Sequence, residues 1–184
     1  MALYIYIKIS GILNLLDKFW PGSLSGIFVE ILVISKLVYQ LFLELKYKST
    51  KQFKILSDIV AYDLPGKLYR FGLVYVFLSS LYNFRLKLIT RLNEKSPKIP
   101  TCSNLYSGGI WLEREVWDFF GVYFLGNLDL RRLLTDYGFT GFPLRKDFPL
   151  IGFFDIFYND ISSKINKSFI VLNQNYKNYQ NIIN

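Results

Sequence analysis

Two carboxylate side chains stand at a spacing that could support chemistry. Glu115 and Asp118 are three residues apart, so a helix would carry both on one face. Paired carboxylates can act as a general acid and base or bind a hard cation. Basic residues that could neutralise the pair are also present: Arg114, Arg131, Arg132, Arg145 and Lys146. We therefore interpret the pair as structural, because buried ion pairs need several hydrogen bonds to offset desolvation, and such networks fit an interlocked interface.

Other groups that commonly carry catalysis or bind metals are scarce. The sequence contains no histidine, the usual general base and the commonest metal ligand. Its one cysteine, Cys102, excludes an intrachain disulfide and a cysteine-built zinc or iron–sulfur site. Thr101 is predicted to cap a short helix with Cys102 in its first turn, where a thiolate could be stabilised, but a small buried residue is the favoured alternative. We therefore predict no catalytic residue, no metal site and no cofactor in this chain.

The composition indicates one folded domain with a basic surface. A chain of 184 residues with 52% hydrophobic and 18% aromatic residues can build a real core. A net charge of +8 is compatible with nucleic acid, an anionic membrane surface or acidic protein neighbours, and charge alone does not choose among them. The abundance of Phe, Tyr, Ile, Asn and Lys is typical of an AT-rich organellar gene.

Hydrophobic periodicity predicts the elements that come before residue 110. Strands are predicted over residues 27–34 and 53–62, over 69–79 as a central strand covered on both faces, and over 84–92 as a half-buried strand. Apolar residues at helical spacing between Val38 and Leu45 predict a helix after the first strand. The fold class is therefore α/β (α+β), a single domain with a mostly antiparallel sheet flanked by helices.

Residues 111–150, called the signature segment below, have the highest density of charged, glycine and aromatic residues. Apolar residues from Leu112 to Phe120 predict a helix that ends at a left-handed Gly121, with an Arg114–Asp118 pair on another face. A second helix is predicted from an Asn127 cap to Gly138. A charged ladder of Asp129–Arg132 and Arg132–Asp136 is predicted along it, with Leu130, Leu133, Leu134 and Tyr137 as its apolar stripe. Gly141 and Pro143 then predict a turn into an irregular arm.

Both ends of the chain differ from the middle. Residues 1–20 are apolar but are interrupted by Lys8, Asn14 and Asp17, so they fall short of the roughly 18–20 uninterrupted apolar residues that span a bilayer. They are expected to pack locally, with a membrane-surface anchor as the alternative. Residues 160–184 are rich in Asn, Lys, Ser and Tyr and are expected to form an arm that becomes ordered on binding. The predicted organisation is an extension (1–22), an α/β domain (23–110), signature helices and a turn arm (111–158), and an extended interface tail (159–184).

The signature segment resembles a known family. Its run ERE-V-WD, then DLRR, LTDYGF and PLRKDFPL, is similar to the hydrophilic subunit of respiratory complex I that is called C in bacteria, nine in mitochondrial genomes and J in plastids. That family usually has Gly-His-Pro where this chain has Gly126-Asn127-Leu128 and Gly141-Phe142-Pro143. The interface and structural residues implied by the resemblance are Glu113, Arg114, Glu115, Trp117, Asp118, Gly121, Asp129, Arg131, Arg132, Asp136, Tyr137, Gly138, Gly141, Pro143, Arg145, Lys146, Asp147, Phe148 and Pro149.

The resemblance implies a non-catalytic structural subunit in the peripheral arm of NADH:ubiquinone oxidoreductase, a complex that passes electrons from NADH to quinone and translocates protons. It implies a position on the matrix side of the mitochondrial inner membrane, with only indirect membrane contact and no nucleic acid. The chain would brace the quinone-site subunit and neighbours that carry iron–sulfur clusters and FMN, and its tail would run across the quinone-site subunit. Arg131→Ala or Asp136→Ala is expected to reduce assembly.

Two alternatives give the chain a different partner. The first is the related plastid complex, which takes electrons from ferredoxin. The second is a basic organellar RNA-binding protein, because Arg85, Lys87 and Arg91 alternate along one predicted strand and could contact phosphates. The aromatic residues are expected on the inward face or in other strands, where they could not stack on bases, so a solvated or subunit-facing strand is the simpler interpretation.

Overall fold

The fold is centred on a four-stranded sheet. The computed structural model describes residues 28–33, 37–48 and 52–171, so the expectations for residues 1–20 and 172–184 lie outside the described residues. The strands lie in the order β1-β4-β3-β2, with β1 parallel to β4 and the other pairs antiparallel. Their bounds are Phe28–Val33 (β1), Ile55–Asp63 (β2), Phe71–Ser79 (β3) and Phe84–Leu92 (β4). Each of the four predicted strands is therefore present.

One face of this sheet, called the inner face, carries the core. On β3 the inner residues Phe71, Leu73, Tyr75 and Phe77 are all fully buried, and their cross-strand partners on β4 include the buried Leu86. Successive residues of a strand point to opposite faces, which is why every second position is buried. On the opposite, outer face, Val74, Val76 and Leu78 of β3 are half-buried, so the prediction that β3 is covered on both faces is only partly correct.

The first helix covers the inner face. Helix α1 (Val38–Leu43) continues into a π-helical turn (Glu44–Lys48). Phe42 of this helix is fully buried, and its ring packs at 5.0 Å from Tyr75 and 5.6 Å from Phe77 between ring centroids. Offset and edge-to-face aromatic contacts of this kind add to the burial of apolar area. The helical spacing from Val38 to Leu45 thus predicted the correct element.

A second helix and a short two-stranded sheet follow. Strand β5 (Lys98–Pro100) pairs in parallel with β6 (Tyr123–Leu125), and α2 (Gly109–Phe120) lies between them in the chain. Gly121 ends α2 with φ of 73° and donates its N–H to the Trp117 carbonyl at 2.9 Å, as predicted for a left-handed C-terminal cap. The sequence analysis predicted neither β5 nor β6 and so missed their pairing.

The segment that follows residue 153 forms a hairpin. Strand β7 (Phe154–Asn159) pairs antiparallel with β8 (Lys164–Phe169). Residues from 160 onwards were expected to become ordered only on binding, and this expectation is wrong for residues 164–169, which form β8. Their ladder of backbone hydrogen bonds to β7 supplies the structure. The mixed α/β class is confirmed, whereas the four-part division of the chain stays a prediction.

Candidate interaction surface

Asp118 is the centre of hydrogen bonding in the signature segment. Its side chain is fully buried on α2. Oδ2 accepts the backbone N–H groups of Leu133, Leu134 and Thr135 at 3.1, 2.7 and 2.9 Å. Oδ1 accepts the Thr135 hydroxyl at 2.6 Å and Arg132 Nη1 at 3.1 Å. Desolvation acts to raise the pKa of Asp118, but the hydrogen bonds, led by those from Thr135, outweigh it and hold that pKa below its ordinary value.

These contacts replace the second predicted helix, which does not form. Residues 126–150 contain turns and bends but no helix or strand. The predicted charged ladder is also wrong. Arg131 binds Asp129 through Nε at 2.7 Å and Nη2 at 2.9 Å, and Arg132 pairs with Asp118. The exposed Asp136 carboxylate instead accepts the N–H of its neighbour Tyr137 at 2.9 Å.

Arg132 joins α2 to the turn at Gly141. Its Nη1 lies 3.3 Å from the Asp118 carbonyl, and its Nη2 donates to the Gly141 carbonyl at 2.8 Å. The guanidinium carbon lies 5.2 Å from the ring centroid of Phe142 and 5.7 Å from that of Phe139. Because a planar guanidinium can bind several acceptors and stack on rings at once, a lysine could not make the same set of contacts.

Arg114 does not form the predicted pair with Asp118. It reaches across to the irregular segment, where Nε donates to the Arg131 carbonyl at 3.1 Å and Nη2 to the Arg132 carbonyl at 3.3 Å. Its Nη1 lies 3.9 Å from Asp129 Oδ2. The backbone carbonyls of this loop are thus bound by one residue of α2 and its N–H groups by another. An irregular segment needs such side-chain partners because it lacks a backbone ladder.

Glu113 fastens α2 to the turn that precedes it. The side chain is fully buried. Oε1 accepts the N–H of Cys102 at 2.6 Å, and Oε2 accepts the Thr101 hydroxyl at 2.6 Å and Asn127 Nδ2 at 2.7 Å. Asn127 Oδ1 in turn accepts the N–H of Asp129 at 2.9 Å. Asn127 therefore caps a turn rather than the predicted helix, and its amide supplies a second contact that sequence patterns did not indicate.

The arm of the signature segment is held against the sheet by an ionic cluster. Arg70 binds Asp63 through Nε and Nη2, each at 2.7 Å, and also contacts Glu94 at 2.7 Å and Asp147 at 3.1 Å. Asp63 accepts the backbone N–H of Lys146 at 2.8 Å. The hydrogen bond with Arg70 holds the pKa of Asp63 below its ordinary value. Sequence analysis missed Asp63, Arg70 and Glu94, because Asp63 fits a turn and only the folded chain brings them to the arm.

Arg145 fills the space beside the helix cap. Its Nε donates to the Phe120 carbonyl at 2.6 Å, and its guanidinium carbon lies 4.3 Å from the ring centroid of Phe142. Desolvation lowers the pKa of this arginine. Trp117 packs on Phe142 at 5.7 Å between ring centroids. Phe142, where the resembled family has histidine, therefore takes part in aromatic and cation–π packing rather than in a side-chain hydrogen bond.

Some of the remaining signature residues shape turns or pack against them, and the others lie at the surface. Gly141 has φ of 113°, and a side chain there would place Cβ 2.7 Å from the Phe148 ring. Phe148 packs between Phe139 and Phe153 at 5.7 and 5.6 Å between ring centroids. The carbonyl of Pro149 accepts the N–H of Gly152, and the carbonyl of Gly138 accepts Lys167 Nζ from the hairpin. Three further positions are half-buried or exposed: Glu115, Tyr137 and Pro143.

The side chains that could have supported chemistry, Glu115, Asp118 and Cys102, do not form a reactive site. Glu115 is exposed while Asp118 is buried, so the two carboxylates do not share a site. Cys102 is fully buried, and burial raises the pKa of its thiol. The predicted helix around it is a single turn, in which the N–H groups of Leu105 and Tyr106 donate to the Cys102 carbonyl at 2.9 and 2.8 Å. The interpretation of Cys102 as a small buried residue is confirmed.

Exposed apolar side chains are concentrated in the second half of the chain. Among the residues that the structure describes, more than half of the large exposed apolar side chains lie between residues 128 and 171. They include Leu134, Tyr137 and Leu150 in the signature segment and Tyr158 and Ile161 in the hairpin. Exposed apolar side chains at such density are typical of protein interfaces. The strongest surface feature of the signature segment is therefore one suited to binding another protein.

Comparison with known proteins agrees with this arrangement. The family described as the 30 kDa subunit of respiratory-chain NADH dehydrogenase matches residues 31–154. The chain belongs to this family. The matched range contains the central sheet and the whole signature segment, and the expectation of a peripheral-arm subunit of NADH:ubiquinone oxidoreductase is confirmed.

Individual relatives show how far the similarity extends. NADH-ubiquinone oxidoreductase subunit 9 of Acanthamoeba castellanii is 46% identical over 139 residues, which cover 76% of this chain and 70% of the relative. Subunit 9 of Dictyostelium citrinum is 42% identical over 168 residues, covering 86% and 80%. The mitochondrial 30.4 kDa subunit of Neurospora crassa is 43% identical over 143 residues, covering 78% and 50%. The chain thus spans about half the length of the Neurospora relative.

Solved structures share the fold. A trypsin-resistant fragment of Nqo5 superposes with a TM-score of 0.52 at 26% identity, covering 67% of this chain and 100% of the fragment. A chain of the archaeal membrane-bound sulfane sulfur reductase, a respiratory membrane complex, gives a TM-score of 0.60 at 27% identity, covering 77% and 86%. Within the described part of this chain, no helix combines the length and apolar character needed to cross a membrane.

Proposed function

We propose that this chain is a structural subunit on the matrix side of the mitochondrial inner membrane, where it braces the quinone-site and iron–sulfur subunits of NADH:ubiquinone oxidoreductase. In this role it contributes no catalytic group and holds no cofactor, while its neighbours carry the iron–sulfur clusters and FMN and bind ubiquinone. The proposal rests on how the side chains of the signature segment are placed. Its buried ionisable side chains bind other parts of the same chain, whereas several of its apolar side chains, among them Leu134, Tyr137 and Leu150, are exposed.

The buried carboxylates support a structural role. Asp118 accepts five hydrogen bonds from side chains and backbone groups, through Arg132, Leu133, Leu134 and Thr135. A carboxylate so fully occupied, with a lowered pKa, is poorly suited to accept a proton near neutral pH. In the described residues, moreover, no three His, Cys, Asp or Glu side chains are grouped as metal ligands. These groups fix the shape of the segment instead.

The hairpin supports a docking role. On the face of β7 and β8 that carries Phe154 and Phe169, Ile156, Tyr158 and Ile165 are also apolar. Phe154 and Ile156 of this face line a small cavity together with Phe139 and Phe148, but Ile161 at the tip of the hairpin is 98% exposed. Two-stranded hairpins are at best marginally stable alone in water. A neighbouring subunit that covers this apolar face would both bind the chain and stabilise the hairpin, and the quinone-site subunit is the proposed neighbour.

Native electrophoresis of gently solubilised mitochondrial membranes tests the assignment. Co-migration of this chain with a large band that oxidises NADH in the gel supports it. Migration as a small free species or with ribosomes would contradict it and favour the RNA-binding alternative. A plastid complex would be indicated by co-migration in plastid membranes without a mitochondrial band.

A matched pair of variants tests the role of the surface. Leu134→Asp places a charge on the exposed surface of the signature segment, and Leu68→Asp places one at an exposed position of the β2–β3 turn. Both isolated chains should fold normally, whereas only Leu134→Asp should remove the chain from the large complex. Normal assembly of Leu134→Asp with a selective loss of quinone reduction would instead indicate a role in the chemistry.

A further inference from the structure

A group of large apolar side chains is exposed where α2, β6 and the turn after β6 meet. These residues, called the α2–β6 surface below, are Ile110, Trp111, Tyr123, Leu125 and Leu128. Trp111 is 58% exposed and Leu128 is 101% exposed. Apolar residues that are exposed singly need no explanation, whereas a group of them on one surface is typical of a binding site. The contacts of the neighbouring residues show that these side chains belong together.

The small sheet fixes two members of the group on its exposed face. Strand β6 pairs in parallel with β5, and Ile99 and Phe124 are buried next to each other on one face of the pair. Because successive residues of a strand point to opposite faces, Tyr123 and Leu125 point away from the core. The ring of Tyr123 meets the ring of Trp117 edge to face, at 6.1 Å between centroids. Tyr123 is thus held in place although it is exposed.

The turn after β6 holds Leu128 outward beside α2. The residue before it, Asn127, donates from Nδ2 to Glu113 Oε2 at 2.7 Å. The residue after it, Asp129, places Oδ2 at 3.9 Å from Arg114 Nη1. Two residues of α2 therefore hold the chain on both sides of Leu128. Its exposure is a consequence of a fixed backbone, and its side chain projects from the surface.

Trp111 lies beside the same turn with one face of its ring covered. The guanidinium carbon of Arg114 lies 4.7 Å from the centroid of that ring. Arg114 is buried and donates to the carbonyls of Arg131 and Arg132, so its own position is fixed. Stacking on a fixed guanidinium restrains the indole. The exposed part of Trp111 and the neighbouring Ile110 extend the surface from the turn onto the first turn of α2.

Fixed aromatic side chains favour a protein as the partner. Binding costs less conformational entropy when the side chains are already immobilised, and Trp and Tyr are enriched among the residues that dominate binding energy. A membrane surface is recognised instead by apolar residues with basic residues around them. Here the exposed carboxylate of Glu115 lies one helical turn from Trp111, where anionic lipid would repel it.

The edges of the small sheet do not favour the addition of another strand. Pro100 of β5 has no backbone N–H, and the N–H of Lys98 already donates to the Ser96 carbonyl at 2.9 Å. On β6 the Phe124 carbonyl accepts the N–H of Asn127 at 3.3 Å. A partner would therefore contact the side chains of the α2–β6 surface and not the backbone of its strands.

The charged residues at the border of the surface have opposite signs. Lys98 is the cross-strand neighbour of Tyr123 and is exposed. In the part of the chain that the structure describes, no carboxylate lies within ion-pair distance of its ammonium group. Glu115 is exposed on α2, one turn from Trp111. Complementary charges fix the orientation of a complex, so a partner would match Lys98 with an acidic group and Glu115 with a basic one.

We propose that the α2–β6 surface binds an apolar patch of a neighbouring subunit, which places a carboxylate opposite Lys98 and a basic side chain opposite Glu115. Leu128 projects into that patch, and the rings of Trp111 and Tyr123 flank it. The inference rests on the proposed function, because it takes the partner to be another subunit of the same complex. It adds a second contact surface, formed by different residues from the one tested at Leu134.

A photo-crosslinking residue at Leu128 in the assembled complex tests the proposal. The expected product joins this chain to an apolar segment of another subunit that carries Asp or Glu. The same crosslinker at Leu68, an exposed leucine in the β2–β3 turn, is the matched control and should not reach that segment. Products only with lipid, with a second copy of this chain or within this chain, or the absence of any product, would each overturn the proposal.

Charge variants test the acidic contact separately. Lys98→Glu should lower the yield of the Leu128 crosslink by about fivefold or more, because an attractive charge contact becomes repulsive. Lys98→Arg keeps the charge and should retain most of the yield. Both isolated chains should unfold in urea as the wild-type chain does, since Lys98 is exposed. Equal crosslink yields from the two variants would overturn the carboxylate opposite Lys98.

The position of the wild-type chain separates the two proposals. If the wild-type chain is absent from the large NADH-oxidising complex, the proposed function is contradicted. If it is present there but the residue at Leu128 does not crosslink to another subunit, only the inference about the α2–β6 surface is contradicted.

Discussion

Asp118 binds Thr135 through both of its carboxylate oxygens: Oδ2 accepts the Thr135 backbone N–H at 2.9 Å, and Oδ1 accepts the Thr135 hydroxyl at 2.6 Å. The two residues are 17 positions apart in the chain. A helix residue therefore sets the conformation of a loop that has no backbone ladder of its own. Because the exposed Leu134 lies next to Thr135, the same contact also positions part of the proposed docking surface.

Replacement of Asp118 by asparagine should destabilise the fold. The amide would keep one acceptor oxygen but turn an NH2 group towards groups that are themselves donors. We expect the free energy of unfolding to fall by about 2–4 kcal/mol, the range for breaking a buried charged hydrogen-bond set. Urea unfolding of the isolated chain measures it. Glu115→Gln, a matched change on the exposed side of the same helix, should alter the value by less than about 0.5 kcal/mol. Equal effects of the two changes would contradict the assigned role of Asp118.

The stability of the fold should decrease in acid because of two aspartates. The pKa values of Asp118 and Asp63 are both lower in the folded chain than their ordinary values. Each therefore stabilises the fold above the unfolded pKa of about 3.9, and this contribution is lost as the pH falls through the folded pKa. Urea unfolding between about pH 6 and pH 3 should show this decrease, with a shallower decrease in Asp118→Asn than in the wild-type chain. Glu115→Gln should keep the wild-type slope, and identical slopes in all three chains would show that Asp118 is not the cause.

A pair of glycine substitutions tests the packing at the end of α2. Gly121 has φ of 73°, and an added Cβ would lie 2.5 Å from Arg145 Nη2 and 2.6 Å from Phe142 Cζ. Gly121→Ala should therefore lower the free energy of unfolding by about 1–3 kcal/mol. Gly108→Ala at the other end of the helix meets open space at φ of −62° and should change it by less than about 0.5 kcal/mol. If Gly121→Ala were as stable as the wild-type chain, Arg145 and Phe142 could not be packed against the helix cap as described.

The sequence patterns that predicted elements correctly are local ones. Alternation of apolar and polar residues predicted β4, and helical spacing predicted α1 and α2, because burial of one face is the main determinant of each. The cap at Gly121 was also predictable, since a left-handed residue favours glycine. In these cases the residues that determine the type of element lie close together in the sequence.

The second predicted helix failed because long-range contacts outweigh local spacing. Leu130, Leu133 and Leu134 have helical spacing, yet the N–H groups of Leu133 and Leu134 donate to Asp118 instead of to carbonyls one helical turn earlier. Helix propensity is a weak preference that such tertiary hydrogen bonds readily override.

The ionic cluster around Arg70 was not predictable for the same physical reason. Asp63 and Lys146 lie 83 positions apart and meet only when the arm lies against the sheet. The types of the signature residues indicated a network of ion pairs and hydrogen bonds, but the partners in that network depend on the tertiary fold. Sequence analysis therefore identified the signature segment correctly but assigned several of its ion pairs to the wrong partners.

The Cys102 thiol should be unreactive until the chain unfolds. It is fully buried in the core, and burial raises its pKa, so the reactive thiolate is disfavoured as well as inaccessible. Labelling with N-ethylmaleimide near neutral pH should be slower in the folded chain than in urea by a factor of about 1000 or more, because it requires an opening that costs several kcal/mol. Ser107→Cys in a Cys102→Ser background supplies an exposed thiol five positions away and should react at nearly the unfolded rate. If native Cys102 were labelled as fast as this exposed thiol, the turn that Glu113 fastens to α2 would have to open readily, and the hydrogen bond from the Cys102 N–H to Glu113 could not hold it closed.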